Sequence, residues 1–223
     1  MRVAAVIPAL NESRSIGDVV GGIRGLVERV VVVDDGSTDG TADRARAAGA
    51  EVIVHETNRG KGTAVRTGLA RVFEGDYTHV LLLDGDMQHL PGEAASLVAE
   101  AERSAAAVVV GERQFDRSRM PAARYHANRI GSCVLSWFVG VPVRDTQCGF
   151  RVFRLDALRP LRLMARGYDI ETEMLIKVRR RGGRVAGVPV TAVYAGQRSK
   201  LRPIPDTTRT CFLAVYYRFL ERV

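Results

Sequence analysis

The sequence predicts an α/β fold with a mostly parallel central sheet flanked by helices. Three observations carry that prediction. Over the first hundred residues, Val- and Ile-rich runs alternate with helix-period segments, the pattern of strands joined by crossover helices. Each predicted strand runs into a polar loop, and right-handed crossovers would bring those loops to one edge of the sheet. Finally, Val80-Leu-Leu-Leu83 is apolar without alternation, as in a central strand covered on both faces, and it ends abruptly in Asp84, Asp86 and Gln88.

In chain order, the expected elements are strand Arg2–Ile7, helix Ser13–Leu26, strand Val30–Asp34 and helix Gly40–Ala48. Strand Glu51–His55, helix Gly60–Phe73 and strand His79–Leu83 follow. The stretch Asp34-Asp-Gly-Ser-Thr-Asp39 supplies turn and helix-cap residues between the second strand and its helix. Beyond Pro91 come helix Gly92–Arg103 and strand Ala106–Gly111. An Arg-rich stretch without periodicity then reads as a substrate-facing loop as far as about Arg129. A helix from about Ala127 to Val139 precedes a turn at Asp145 that enters a strand, followed by helix Tyr168–Arg181, strand Val185–Tyr194 and an amphipathic helix near Thr207–Glu221. No linker composition divides the chain, so residues 1–223 are expected to form one domain with halves 1–105 and 106–223.

Composition narrows the classes. With 46% hydrophobic and 26% charged residues the chain is an ordinary globular protein rather than a disordered one. The apolar stretch Cys133–Val143 is interrupted by Ser136, Gly140 and Pro142 and falls short of the roughly 20 residues that cross a bilayer, so no transmembrane segment is expected. The amino terminus lacks the pattern of a signal peptide, which points to the cytoplasm. Cys133, Cys148 and Cys211 have no CxxC spacing and are expected to be reduced, and the four histidines form no metal spacing. Charge is asymmetric. Residues 1–100 hold 10 Arg and Lys against 15 Asp and Glu, whereas residues 101–223 hold 23 against 10. The basic half suits an anionic partner, although arginines on solvated helix faces would give the same count.

The strand-end carboxylates are the main chemical signal. If the chain stays extended, Asp84, Asp86 and Gln88 project the same way and can face one ion. Oxygen ligands of this kind favour Mg²⁺ or Mn²⁺ with room for substrate phosphates. A strand-end Asp-Gly turn is the competing reading. Pro8–Glu12, Asp34–Asp39, Asn58–Lys61 and Asp84–Gln88 all fall at the same sheet edge, where open α/β sheets bind ligands. The glycine-flanked Gly60-Lys-Gly62 matches no Walker pattern and reads as a helix start, or as a place where backbone can approach a ligand.

Six ordered motifs carry a family resemblance. They are Val6-Ile-Pro-Ala-Leu-Asn-Glu12, Val31-Val-Val-Asp-Asp-Gly-Ser-Thr-Asp-Gly-Thr41, Asn58-Arg-Gly-Lys-Gly62, Leu83-Asp-Gly-Asp-Met-Gln-His89, Asp145-Thr-Gln-Cys-Gly-Phe-Arg-Val-Phe153 and Gly167-Tyr-Asp-Ile-Glu171. Over nearly its whole length the chain resembles family 2 glycosyltransferases of the GT-A fold, with its Rossmann-like sheet, in the dolichol- or polyprenol-phosphate mannosyltransferase and glucosyltransferase branch. The resemblance implies that residues 1–105 bind a nucleotide sugar and 106–223 the acceptor. It implies that Pro8, Leu10, Glu12 and Val33 line the nucleotide pocket and that Asp35 contacts the base. Leu10 stands where the family often has an aromatic, which leaves the base open. Asp84 and Gly85 would touch the sugar or diphosphate, and Asp86 with Gln88 would hold the cation, so that Asp84, Asp86 and Gln88 together form the metal motif.

On the acceptor side the resemblance assigns Arg113 and Arg124, with Arg129 as an alternative to Arg124, to the acceptor phosphate. Arg198 and Lys200, within Tyr194-Ala-Gly-Gln-Arg-Ser-Lys-Leu201, would close over the diphosphate. A guanidinium suits this work because its fork donates two hydrogen bonds to one phosphate. Asp145 stands where relatives with hydroxyl acceptors carry a catalytic base, and it would either serve as that base or orient acceptor-site arginines. Asp169 and Glu171 fit helix-dipole stabilisation.

These readings imply an inverting hexosyltransferase using GDP-mannose or UDP-glucose and a polyprenyl phosphate, in which Asp86, Arg113 and Asp145 carry the chemistry. Peripheral contact with the cytoplasmic membrane face would come from Trp137, Phe138 and the final helix, unless those aromatics belong to the core. A soluble-acceptor enzyme acting on a polysaccharide or small hydroxylated molecule shares the same donor motifs, and a non-catalytic nucleotide-sugar-binding protein would share all but turnover. Nucleic acid is disfavoured as a partner because the acidic amino half would repel its phosphates.

Overall fold

The computed structural model describes residues 1–114, 140, 145–146 and 148–193. Strand β1 (Val3–Ala9), helix α1 (Ile16–Ile23), β2 (Arg29–Asp34), α2 (Thr41–Ala47), β3 (Glu51–Val54), α3 (Lys61–Phe73) and β4 (His79–Leu82) follow one another as the alternation predicts. A 3₁₀ turn, Pro91–Glu93, leads into α4 (Ala94–Ser104) and β5 (Val108–Gln114). The remaining described elements are β6 (Arg151–Arg154), a single-turn α5 (Leu155–Leu158), α6 (Ile170–Arg180) and β7 (Val185–Thr191). The expected helices near 127–139 and 207–221, with Trp137, Phe138, Arg124, Arg129, Arg198 and Lys200, lie outside the described residues.

The seven strands form one sheet in the order β3-β2-β1-β4-β6-β5-β7. Every pairing is parallel except those of β6, which runs antiparallel to both β4 and β5. Both halves of the chain therefore contribute to the same sheet. Its middle is apolar on both faces: Ala4–Ile7, Val31–Val33, Val80, Leu81, Val109 and Phe153 are all fully buried. That burial, lost for any polar substitute, explains the uninterrupted Val, Ile and Leu runs.

Three boundaries differ from the sequence expectation for identifiable reasons. Helix α1 starts at Ile16, not Ser13, because the amides of Glu12 and Ser13 donate across to Thr41 and Asp39 instead of entering a helix. Strand β5 continues past Gly111 to Gln114 because Glu112, Arg113 and Gln114 pair with Pro189, Val190 and Thr191 of β7. Arg113 is thus fixed on a strand rather than carried by a loop. Strand β7 stops at Thr191, whose amide and hydroxyl both donate to the Glu93 carboxylate. Among the described residues no helix is long and apolar enough to cross a membrane.

Candidate active site

The crevice opens where the strand order reverses. Strands β1 and β4 pair from Val3 with His79 to Val6 with Leu82 and then part. Pro8 lies beyond that last pair, so the N–H it lacks has no ladder position to fill on the β4 side. The loop after β1 is stitched to the loop after β2. The Asn11 amide donates to Ser37 Oγ (2.8 Å), the Thr38 amide to Asn11 Oδ1 (2.9 Å), and the Ser13 amide to Asp39 Oδ2 (3.0 Å). Asp39 also accepts from Thr41; these bonds outweigh the upward push of burial and hold its carboxyl at about 2. Across the crevice, Ser15 Oγ donates to the Gly85 carbonyl (2.6 Å), tying the Glu12 turn to the carboxylate loop.

Two residues expected at the nucleotide sit differently. Val33 is fully buried on β2 opposite Pro8, where its side chain belongs to the core. Asp35 is 3% exposed: Oδ1 faces His55 Nδ1 (2.6 Å) and accepts the Arg59 amide, while Oδ2 accepts the Gly60 amide (2.8 Å). Its carboxylate fixes the loop that delivers Lys61. Pro8, Leu10 and Glu12 are partly exposed.

Lys61 is the main residue the sequence left unassigned. From the first turn of α3, its Nζ lies 2.6 Å from Asp84 Oδ1 and 2.5 Å from Glu171 Oε1, and it faces the Tyr168 ring at 5.3 Å. Burial opposes the ammonium charge, but the two carboxylates outweigh it and raise the Lys61 pKa. Burial likewise pushes Asp84 up, and Lys61 more than reverses it. The glycines around Lys61 make room for protein rather than ligand. The Gly62 amide donates to the Arg166 carbonyl (2.9 Å), and a Cβ on Gly62 would stand 2.5 Å from the Ala165 carbonyl oxygen. Glu171, expected to serve the helix dipole, is the second anion of this cluster. No spacing in the sequence announces that these three motifs meet.

The segment after β4 is a turn, not an extended run. Met87 adopts φ 59° and the Gln88 amide donates to Asp86 Oδ1 (3.0 Å), so the side chains of Asp84, Asp86 and Gln88 do not alternate along a strand. The competing strand-end turn is what forms, because the Asp86 side chain offers the backbone a local acceptor. Asp84 is taken up by Lys61, and among the described residues no three His, Cys, Asp or Glu side chains are grouped to hold a metal ion. Asp86 with the Gln88 amide oxygen nevertheless fits a hard cation. Burial and the Asp84 charge, with Glu12 adding to them, push the Asp86 carboxyl up to about 6, so negative charge is concentrated where a cation would relieve it.

On the other side of the sheet's β4–β6 junction, Arg113 reaches back along β5 to Asp145. Its Nε donates to Oδ2 (2.5 Å) and Nη2 to Oδ1 (3.0 Å), and Asp145 is 2% exposed. Thr146 and Cys148, close to Asp145 in the chain, are held by Arg151, a fully buried guanidinium that donates to the carbonyls of Cys148, Glu171 and Thr146, each at 2.6 Å. Gly149 lets this stretch approach Asp84, since a Cβ there would lie 2.9 Å from Asp84 Oδ2. His89 stacks on Phe150 at 5.3 Å and meets Cys148 Sγ at 3.5 Å; burial lowers its pKa, consistent with a packing role. Burial also pushes the Cys148 thiol up to about 12, which leaves it unreactive.

The mostly parallel sheet in this strand order is the GT-A fold, and the class of protein is a glycosyltransferase. The chain belongs to glycosyl transferase family 2, whose family model matches residues 4–161. It is 33% identical over 97% of its length to glycosyltransferase AglJ of Haloferax volcanii, covering 71% of that protein. It is 34% identical over 86% of its length to the undecaprenyl-phosphate mannosyltransferase of Micrococcus luteus, covering 84% of it. Among solved structures it is similar to glucosyl-3-phosphoglycerate synthase of Mycobacterium tuberculosis in complex with Mn²⁺, UDP-glucose and phosphoglyceric acid. That match has a TM-score of 0.74 at 24% identity, over 97% of this chain and 79% of the other. The sequence expectations of the GT-A fold and of the polyprenyl-phosphate branch of family 2 hold.

Proposed function

We propose that this glycosyltransferase moves a hexose from GDP-mannose or UDP-glucose to the phosphate of a polyprenyl phosphate, with inversion at the anomeric carbon. The observation that carries this reading is the two-point grip of Asp145 on Arg113. A carboxylate engaged in this way orients a guanidinium rather than removing a proton. A phosphate acceptor, already ionised, requires no strong base; it requires positioning and charge neutralisation. Arg113 on its strand supplies one oriented cation, and Arg124 or Arg129 would supply a second. The likeness to an undecaprenyl-phosphate mannosyltransferase supports the same acceptor class.

On the donor side, Pro8, Leu10 and Glu12 would line the nucleotide, with Asp35 holding the loop beneath it, while Asp84 and Gly85 face the sugar. Asp86 and Gln88 would hold Mg²⁺ or Mn²⁺, which when bound neutralises charge on the departing diphosphate. Arg198 and Lys200 would close over that diphosphate. Residues 1–105 and 106–223 would act as two halves of one domain, and contact with the cytoplasmic face of the membrane would be peripheral.

A second reading is favoured by one finding: the glucosyl-3-phosphoglycerate synthase that shares the fold was solved with a small soluble acceptor. The test is nucleoside diphosphate release with Mn²⁺ from GDP-mannose and UDP-glucose, with and without a short polyprenyl phosphate. Lipid-dependent release supports the first reading. Release that ignores the lipid and responds to phosphoglyceric acid or another soluble acceptor supports the second, and donor binding without any turnover would leave a nucleotide-sugar-binding protein.

A further inference from the structure

Lys61 stands between two carboxylates contributed by different parts of the fold, Asp84 beyond β4 and Glu171 in α6. Its position is determined from several directions. The Gly62 amide is tied to the Arg166 carbonyl. The segment leading to Arg166 is pinned in turn by Glu173, whose carboxylate accepts the Met164 amide and, at 2.7 Å, the Ala165 amide. The Tyr168 ring covers the ammonium from another side. With its side chain 13% exposed, Lys61 has little freedom to withdraw from Asp84. Asp84 is equally confined, with Oδ1 on the lysine and Oδ2 against Gly149. Asp86, two residues on, turns its own Oδ1 to the Gln88 amide.

We propose that Lys61 sets the cation affinity of the donor site: paired with Asp84, two residues from Asp86, it offsets negative charge that would otherwise hold the ion. The free protein then holds a divalent cation weakly, and the cation is retained together with the diphosphate. This inference rests on the reading of Asp86 and Gln88 as cation ligands. Glu171 is the counterweight. It shares the lysine charge, so removing Glu171 and removing Lys61 change the field at Asp86 in opposite directions. A residue that merely held the fold would not produce opposite signs.

The experiment is Mn²⁺ binding to the intact protein, followed by the paramagnetic resonance of free Mn²⁺, alone and with UDP or GDP. Wild-type protein is expected to bind Mn²⁺ at least about tenfold more tightly with nucleoside diphosphate than without. Lys61→Met is expected to bind Mn²⁺ alone about tenfold more tightly than wild type, and Glu171→Gln severalfold more weakly. Unchanged or weakened affinity in folded Lys61→Met overturns the proposal, as does unchanged affinity in Glu171→Gln. If Lys61→Met fails to fold, Glu171→Gln decides alone. If wild type binds no Mn²⁺ even with nucleoside diphosphate, the cation reading itself fails and the lysine proposal with it. The two failures are distinguishable because the first leaves wild-type binding with nucleotide intact.

Discussion

Arg113 and Asp145 form a two-point ion pair between the end of β5 and the 145–148 turn, with Nε to Oδ2 at 2.5 Å and Nη2 to Oδ1 at 3.0 Å. This geometry suits a positioning role for Asp145, and substitution tests that role against a general base. Asp145→Asn keeps the shape and removes the charge that aims the guanidinium. Acceptor KM is expected to rise about tenfold while kcat falls by less than about fivefold, the signature of lost positioning. A kcat loss of about a hundredfold or more at constant acceptor KM would instead make Asp145 a general base. Steady-state kinetics with varied polyprenyl phosphate distinguishes them.

Asp86→Ala is expected to lower Mn²⁺-dependent turnover by about a hundredfold or more, because the charge on the leaving diphosphate then lacks its counter-ion. The circular dichroism spectrum should be unchanged, since the carboxylate's bond to the Gln88 amide closes a local turn outside any helix or strand. Chelation of the metal from wild-type protein should produce the same loss, and should cause no further loss in the variant.

Arg151→Lys is expected to destabilise the protein by about 2–4 kcal/mol, although the substitution preserves charge. The three carbonyls of Thr146, Cys148 and Glu171 are matched to the fork of a guanidinium, and an ammonium on a shorter stem cannot reach them all. Chemical denaturation measures the loss. Because Thr146 adjoins Asp145 and Glu171 pairs with Lys61, activity should fall before the fold does.

Asp39→Ala is expected to cost about 1 kcal/mol at neutral pH through lost amide and hydroxyl bonds to Ser13 and Thr41. The folded carboxyl, at about 2, lies below its ordinary 3.8, so the ionised form stabilises the native state. That contribution is complete above pH 3.8 and fades as the pH falls through about 2. Melting curves of variant and wild type should therefore converge at the acid end of this window.

The strands and their order along the chain were legible because buried parallel strands demand unbroken Val, Ile and Leu, and the loops at their ends announced one crevice. The chemistry inside the loops was less legible. Asp84, Asp86 and Gln88 suggested an extended chain, but Asp86 accepts the Gln88 amide and closes a turn. Gly60-Lys-Gly62 was legible as a helix start, where α3 begins, but not as the place where glycines admit the backbone at Ala165 and Arg166. Lys61, Asp84 and Glu171 meet only because α3, β4 and α6 pack at one corner, a relationship that no local periodicity encodes. Arg113 was placed in a loop because its partner strand, β7, lies far along the chain.

The antiparallel strand β6 also bears on how the molecule is made. Strands β3, β2, β1 and β4 derive from the first part of the chain and can assemble as soon as it leaves the ribosome, but the outer flank of β4 then has no neighbour. Strand β5, next along the chain, does not take that place; it must wait for β6 to arrive between them. Completion of the sheet therefore depends on distant contacts, which are slow to form. During synthesis the nascent chain therefore carries a strand edge, leading into the carboxylate loop, that stays without its final neighbour until Arg151–Arg154 has been made.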